Sequence, residues 1–107
     1  MVKLGEFELL VLLALLRHGD EPYANRVREA IEERTGRSVS RGALYRTLAR
    51  LQEKGLLEWE MEPSATPERG GHPMRRLLVT ERGIDAAREA TLVLRSFLDG
   101  LDPILDT

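Results

Sequence analysis

Hydrophobic and polar positions along the chain follow two periods, and the places where the period changes mark out the expected elements. Residues 4–18 are apolar almost all round between positions 9 and 16, which predicts a helix without a clean polar face. Such a helix is expected to be covered twice, once by its own domain and once by a partner. The alternative is the central core helix of a monomer, for which 107 residues supply little surrounding material. Asp20, Glu21 and Pro22 have the composition of a helical first turn and are expected to start a second helix. Val27, Ala30 and Ile31 give that helix its apolar stripe, and Gly36 ends it.

The third helix has the sharpest boundaries. Ser40 is a natural N-cap, with Val39 and Leu44 placed as a hydrophobic staple. Leu44, Leu48 and Leu51 share one face, while Gly42, Arg46, Ala49 and Arg50 point the other way and Tyr45 sits on the flank. Gly55 suits a left-handed stop, with Leu51 and Leu56 in reach of each other. Two helices joined by so tight a turn, the second carrying arginines outward, form a helix-turn-helix pattern.

The period then drops to two. Residues 57–62 alternate apolar and acidic, as a half-buried strand does, with Trp59 expected in the core of the sheet. Residues 63–73 are turn-rich, and residues 74–79 return as the paired strand with Leu77 and Val79 inward. Arg75 and Arg76 flank the loop, so the hairpin reads as a basic wing able to reach a DNA backbone or minor groove. Thr80 caps a last helix running to about Gly100. Ile84, Ala87, Thr91, Leu94 and Leu98 form one apolar stripe on it, and Ala90, Val93, Phe97 and Leu101 a neighbouring one. That surface is wider than packing on a small domain requires, and dimerisation against the apolar first helix accounts for it.

Charge sharpens this picture. The net charge is only −2, yet Arg34, Arg37, Arg41, Arg46, Arg50 and Lys54 face a single acid, Glu53, over one stretch, and Arg69, Arg75 and Arg76 form a second basic set. Phosphate binding depends on the local field rather than the total. The chain has no cysteine, which excludes disulfides, thiolate catalysis and cysteine-ligated zinc. His18 and His72 have no acid or nucleophile at a recognisable spacing, so no enzymatic activity, metal or cofactor is expected. The apolar run at 9–16 is too short to span a bilayer and lacks the flanks of a signal peptide, so a cytoplasmic protein without membrane contact is expected.

Three segments, LGEFELLVLLALL at 4–16, GALYRTLARLQEKGLL at 42–57, and ERGGHP at 68–73 with LLVTERG at 77–83, together resemble the PadR family of bacterial winged-helix transcriptional regulators. The resemblance covers nearly the whole chain, and its length is similar to members whose C-terminal part is a single dimerisation helix. It implies a homodimer that represses promoters by binding an inverted repeat in double-stranded DNA. It also implies DNA contacts by the tyrosines at Tyr23 and Tyr45, though Tyr23 is equally suited to helix packing. In some relatives a flat apolar effector sits between the first and last helices. One departure stands out: family wings commonly return through a tyrosine pair followed by a basic residue, whereas here Arg76 precedes Leu77 and Leu78.

The expected fold is therefore mainly α with a small β-hairpin: a winged helix-turn-helix over residues 1–80 and a C-terminal dimerisation helix and tail over 81–107. The expected DNA contacts are Tyr23, Ser40, Arg41, Gly42, Tyr45, Arg46, Arg50, Arg75 and Arg76. The expected dimer contacts are Leu9, Leu12, Leu13, Leu16, Ile84, Ala87, Thr91, Leu94, Phe97 and Leu98. The competing function is a winged-helix protein–protein module that never touches DNA, which the net acidity favours and the outward arginines oppose.

Overall fold

The structure, a computed structural model, describes residues 3–62 and 74–106. Helix α1 (Glu6–Arg17) runs through its middle and touches α2 (Ala24–Thr35), α3 (Arg41–Glu53), strand β2 (Met74–Val79) and α4 (Glu81–Leu98). Strand β1 (Leu57–Glu62) follows α3 and pairs antiparallel with β2, Trp59 opposite Leu77. A short α5 (Asp102–Leu105), not anticipated from the sequence, closes the chain. The expected α+β winged-helix architecture is present, and the turn-rich loop with Arg69 and His72 lies outside the described residues.

Because four elements surround α1, the chain covers most of this helix by itself. Leu9, Val11, Leu12, Ala14 and Leu15 are all buried, and only Leu13 and Leu16 remain as large exposed apolar side chains. The expectation that its own domain covers one side only is thus corrected to a narrow uncovered strip. Leu9, Leu12 and Ala87, expected at a dimer interface, are spent in the protomer's own core.

The second helix starts later than expected. Pro22 is buried in the preceding segment, where its carbonyl accepts a hydrogen bond from Leu77 N–H at 2.8 Å, and Tyr23 is extended. A proline two residues before a helix and one in its first turn read alike in sequence, and here the bond to β2 decides the matter. The stop is as expected, with Gly36 left-handed at φ 72°.

The Gly55–Leu56 corner joins the helical half to the sheet. Gly55 N–H bonds Gln52 O and Leu56 N–H bonds Leu51 O, both at 3.0 Å, which is the paired closure of a Schellman stop. Leu56 O then accepts from Thr80 N–H at 3.1 Å, and Gly55 O from the Thr80 hydroxyl at 2.7 Å. The same hydroxyl caps α4 by accepting from Gly83 N–H at 3.0 Å. From there α4 leaves the domain, and residues 92–100 are exposed throughout. The radius of gyration is 16.0 Å, against roughly 13 Å for a compact chain of this length; the projecting helix is the cause. No helix among the described residues is long and apolar enough to cross a membrane.

Gly83 sits where α4 crosses this corner: a Cβ there would lie 2.2 Å from Leu56 O and 2.7 Å from Val79 Cγ1. Backbone cannot give way as a flexible side chain can. Gly83→Ala should lower stability by about 1–3 kcal/mol or more, read as a reduced urea midpoint with the m-value preserved. An unchanged midpoint would mean that α4 is not seated as described.

Candidate nucleic-acid interface

The exposed face of α3 is built by its two ends. At the start, Ser40 Oγ accepts from Ala43 N–H at 3.1 Å, and Val39 and Leu44 are both buried beneath it. At the other end, Lys54 Nζ donates to Glu8 Oε1 at 2.9 Å, to Glu8 Oε2 at 2.8 Å and to Lys3 O at 2.8 Å. Gly5 N–H also donates to Glu8 at 2.8 Å. Burial alone would raise the Glu8 carboxyl, but the Gly5 hydrogen bond, the Lys54 ammonium and the charge of Arg50 outweigh it and hold the group below its ordinary value. The pair therefore ties the end of α3 to the start of α1.

Between these anchors Leu44, Thr47, Leu48 and Leu51 point inward, leaving Arg41, Gly42, Tyr45, Arg46, Ala49 and Arg50 outside. Gly42 has a use here: a Cβ on it would lie 3.0 Å from an Arg46 guanidinium nitrogen, so the glycine lets Arg46 fold close over the backbone. Two shallow depressions flank the helix. Arg46 and Arg50 border one together with the start of α1. Arg41 and Tyr45 border the other together with Tyr23, Asn25, Met61 and Arg75.

Strand alternation separates the two wing arginines that had been expected to act as a pair. Arg75 shares the inner face with Leu77, Trp59 and Met61; its guanidinium lies 4.5 Å from the Trp59 ring centre and 5.8 Å from that of Tyr45. Arg76 is on the outer face beside Glu60 at 4.0 Å and Glu62 at 3.8 Å, which oppose its charge. Trp59 is half-buried as a sheet residue, with its indole N–H donating to Gln52 at 2.9 Å.

Tyr23 is half-buried at the mouth of the wing-side depression and donates its hydroxyl to Glu62 Oε2 at 2.7 Å. That hydrogen bond, with burial and the Glu62 charge, pushes the phenol above its ordinary value. Tyr23 thus couples the wing to α2, as the packing reading expects, and it also lines the depression. The Tyr23 side chain does not cap α2, and the Ala24 and Asn25 amides have no acceptor among the described residues. Asn25, exposed in that first turn, was missed by the sequence reading; its position just after a tyrosine-marked helix start is the signal that could have found it.

A family model described as the transcriptional regulator PadR-like family matches residues 12–89. No curated protein matches the chain. Among solved structures, the chain is similar to a PadR-like transcription factor from Bacteroides fragilis, with 24% identity, TM-score 0.73 and coverage of 92% of this chain and 88% of the other. A PadR family transcription regulator from hypervirulent Clostridium difficile is 19% identical with TM-score 0.75, covering 94% and 99%. A winged-helix DNA-binding protein from the virus STIV is 22% identical with TM-score 0.70, covering 92% and 98%.

Trp59 is the only tryptophan, so its fluorescence reports the wing alone. Removing the cation above it in Arg75→Ala should expose the ring and move its emission to longer wavelength, whereas Arg76→Ala should leave it in place. Identical spectra for all three proteins would contradict the placement of Arg75. The Glu8–Lys54 tie has its own signature. The folded carboxyl is held low, so its stabilisation is complete above the ordinary glutamate value and fades as pH drops through the lower folded one. The stability gap between wild type and Glu8→Gln should accordingly be constant near neutrality and close below pH 4.5, measured as thermal midpoints across acid pH.

Proposed function

The chain belongs to the PadR-like family of transcriptional regulators, and we propose on that footing that it is a cytoplasmic homodimeric repressor that binds an inverted-repeat operator. The winged-helix fold is a DNA-binding one, and the family is one of regulators, not of enzymes. The observation that carries the proposal is the convergence of Tyr23, Arg41, Tyr45, Arg75 and the uncapped start of α2 on one depression beside the exposed face of α3. Two cations, the Tyr45 hydroxyl and free amides so grouped suit a phosphate backbone, which positions without specifying. Arg46 and Arg50, with Gly42 and Ala49 leaving room, are assigned to base edges in the major groove. Ser40 belongs with the backbone contacts, and Arg76 contributes least because Glu60 and Glu62 oppose it.

A second copy completes the molecule. Leu94, Phe97 and Leu98 are 52%, 76% and 51% exposed on α4, and Ile84 on the same helix and Leu13 and Leu16 on α1 are exposed as well. Thr91 lies half-buried between them. Two copies about a two-fold axis place their recognition helices roughly 34 Å apart, in successive major grooves. A groove of about 430 Å³ between the start of α1 and α4, with Leu4, Leu9, Val93 and Leu94 in its walls, is roofed in such a dimer. A flat apolar effector held there would change the spacing of the two heads and release the operator.

The acidic outer face of the wing, Glu58, Glu60 and Glu62, favours the competing protein–protein module. Retention on duplex DNA that weakens steeply with salt separates the two, because only phosphate contacts release counterions. Arg46→Ala and Arg50→Ala should each weaken operator binding, with a loss of about 1–3 kcal/mol of discrimination where a guanine edge is read. Arg75→Ala should lower the salt slope by about 1 and cost more affinity than Arg76→Ala. Wild-type titrations for Arg46→Ala, Arg50→Ala and Arg75→Ala would remove the DNA reading.

A further inference from the structure

The C-terminal tail has the opposite character to a cleft elsewhere on the molecule. Beyond Phe97 the chain contains Asp99, Asp102 and Asp106 and no basic residue. Leu101 and Leu105 stand one helical turn apart, Leu105 N–H bonding Leu101 O at 2.9 Å, and are 38% and 59% exposed. Asp102 and Asp106 are related in the same way, by a 2.9 Å bond from Asp106 N–H to Asp102 O. The tail therefore presents an apolar edge beside an acidic one. None of its three aspartates is in an ion pair among the described residues.

The cleft lies between α1 and α2. Its volume is about 200 Å³, and its lining includes the apolar side chains of Leu10, Leu13 and Ile31 together with the exposed Arg17 and Arg34. Neither arginine is in an ion pair among the described residues, although most charged side chains of α2 are paired. The cleft includes part of the narrow strip of α1 that its own domain leaves uncovered. The chain's own tail is exposed at every described position, at the far end of the projecting α4.

We propose that in the dimer the tail of one copy, residues 99–106, lies in the α1–α2 cleft of the other, Leu101 and Leu105 against its apolar lining and the aspartates against Arg17 and Arg34. The exchange is reciprocal, as a two-fold axis requires. It rests on the homodimer proposed above and adds to it a specific, charge-matched clasp. The clasp also makes dimer strength depend on salt.

Sedimentation of the full chain over nanomolar to micromolar concentration tests the clasp, with a chain ending at Leu98, Arg34→Glu, Asp102→Arg and the double variant alongside. Circular dichroism serves as the check on folding, since all the altered positions are exposed. The shortened chain and each single variant should dissociate at about 10-fold or higher concentration, and the double variant should return to within about 3-fold of wild type. A wild-type dimer indifferent to tail removal, or a double variant as weak as the sum of its parts, overturns the clasp and leaves the dimer standing. A wild type monomeric throughout overturns the dimer itself, and the clasp with it.

Discussion

The Gly55–Leu56 corner is the joint on which the rest of the structure depends. Gly55 turns at φ 75°, a conformation that costs a residue with a Cβ about 1–2 kcal/mol. That turn lets the last carbonyls of α3 be satisfied within two residues. The two carbonyls it leaves facing outward are taken by Thr80, which in turn caps α4. One short segment thus sets three directions at once: the axis of α3, the start of the hairpin, and the departure of α4. Leu51, Leu56 and Leu57 are all buried beneath it, so neither rotation nor sliding is available without opening the core.

Electrostatics then divides the surface that this frame presents. Many acids are engaged internally: Glu8 with Lys54, Glu29 and Glu33 with Arg26, Glu32 with Arg28 and the Val39 amide, and Glu62 with Tyr23. Arg41 and Arg46 of α3 have no such partners among the described residues, and Arg50 is in no ion pair there although its charge reaches Glu8. A chain of net charge −2 can in this way keep a basic face. Exposed pairs of this kind contribute little to stability individually. Their effect is to withdraw negative charge from the field around α3.

The local signals were readable in the sequence because their physics is local. Ser40, Gly36 and Gly55 each mark a helix end through a bond or a φ angle within a few residues, and the alternation at 57–62 fixed the hairpin. What escaped depended on distant partners. Pro22 stands outside α2 because a strand more than fifty residues later takes its carbonyl, and Tyr23 meets Glu62 across 39 positions. The coverage of α1 depended on how many elements would converge on it, which no window along the chain reveals. The opposite placement of Arg75 and Arg76 was in principle legible: the alternation that put Leu77 inward also put Arg75 inward. Charge had been counted there by stretch instead of by face.

The two long-range ties that hold the exposed elements are displaced in opposite directions from ordinary titration. The Glu8 carboxyl is held low and stays ionised; the Tyr23 phenol is pushed high and keeps its proton. Near neutrality the Glu8 carboxyl and the Tyr23 phenol therefore keep these states, and titration of these two groups breaks neither tie. A signal that acts through proton concentration near neutrality finds no handle in these two groups, and the contacts that seat α3 on α1 and the wing on α2 are kept apart from it.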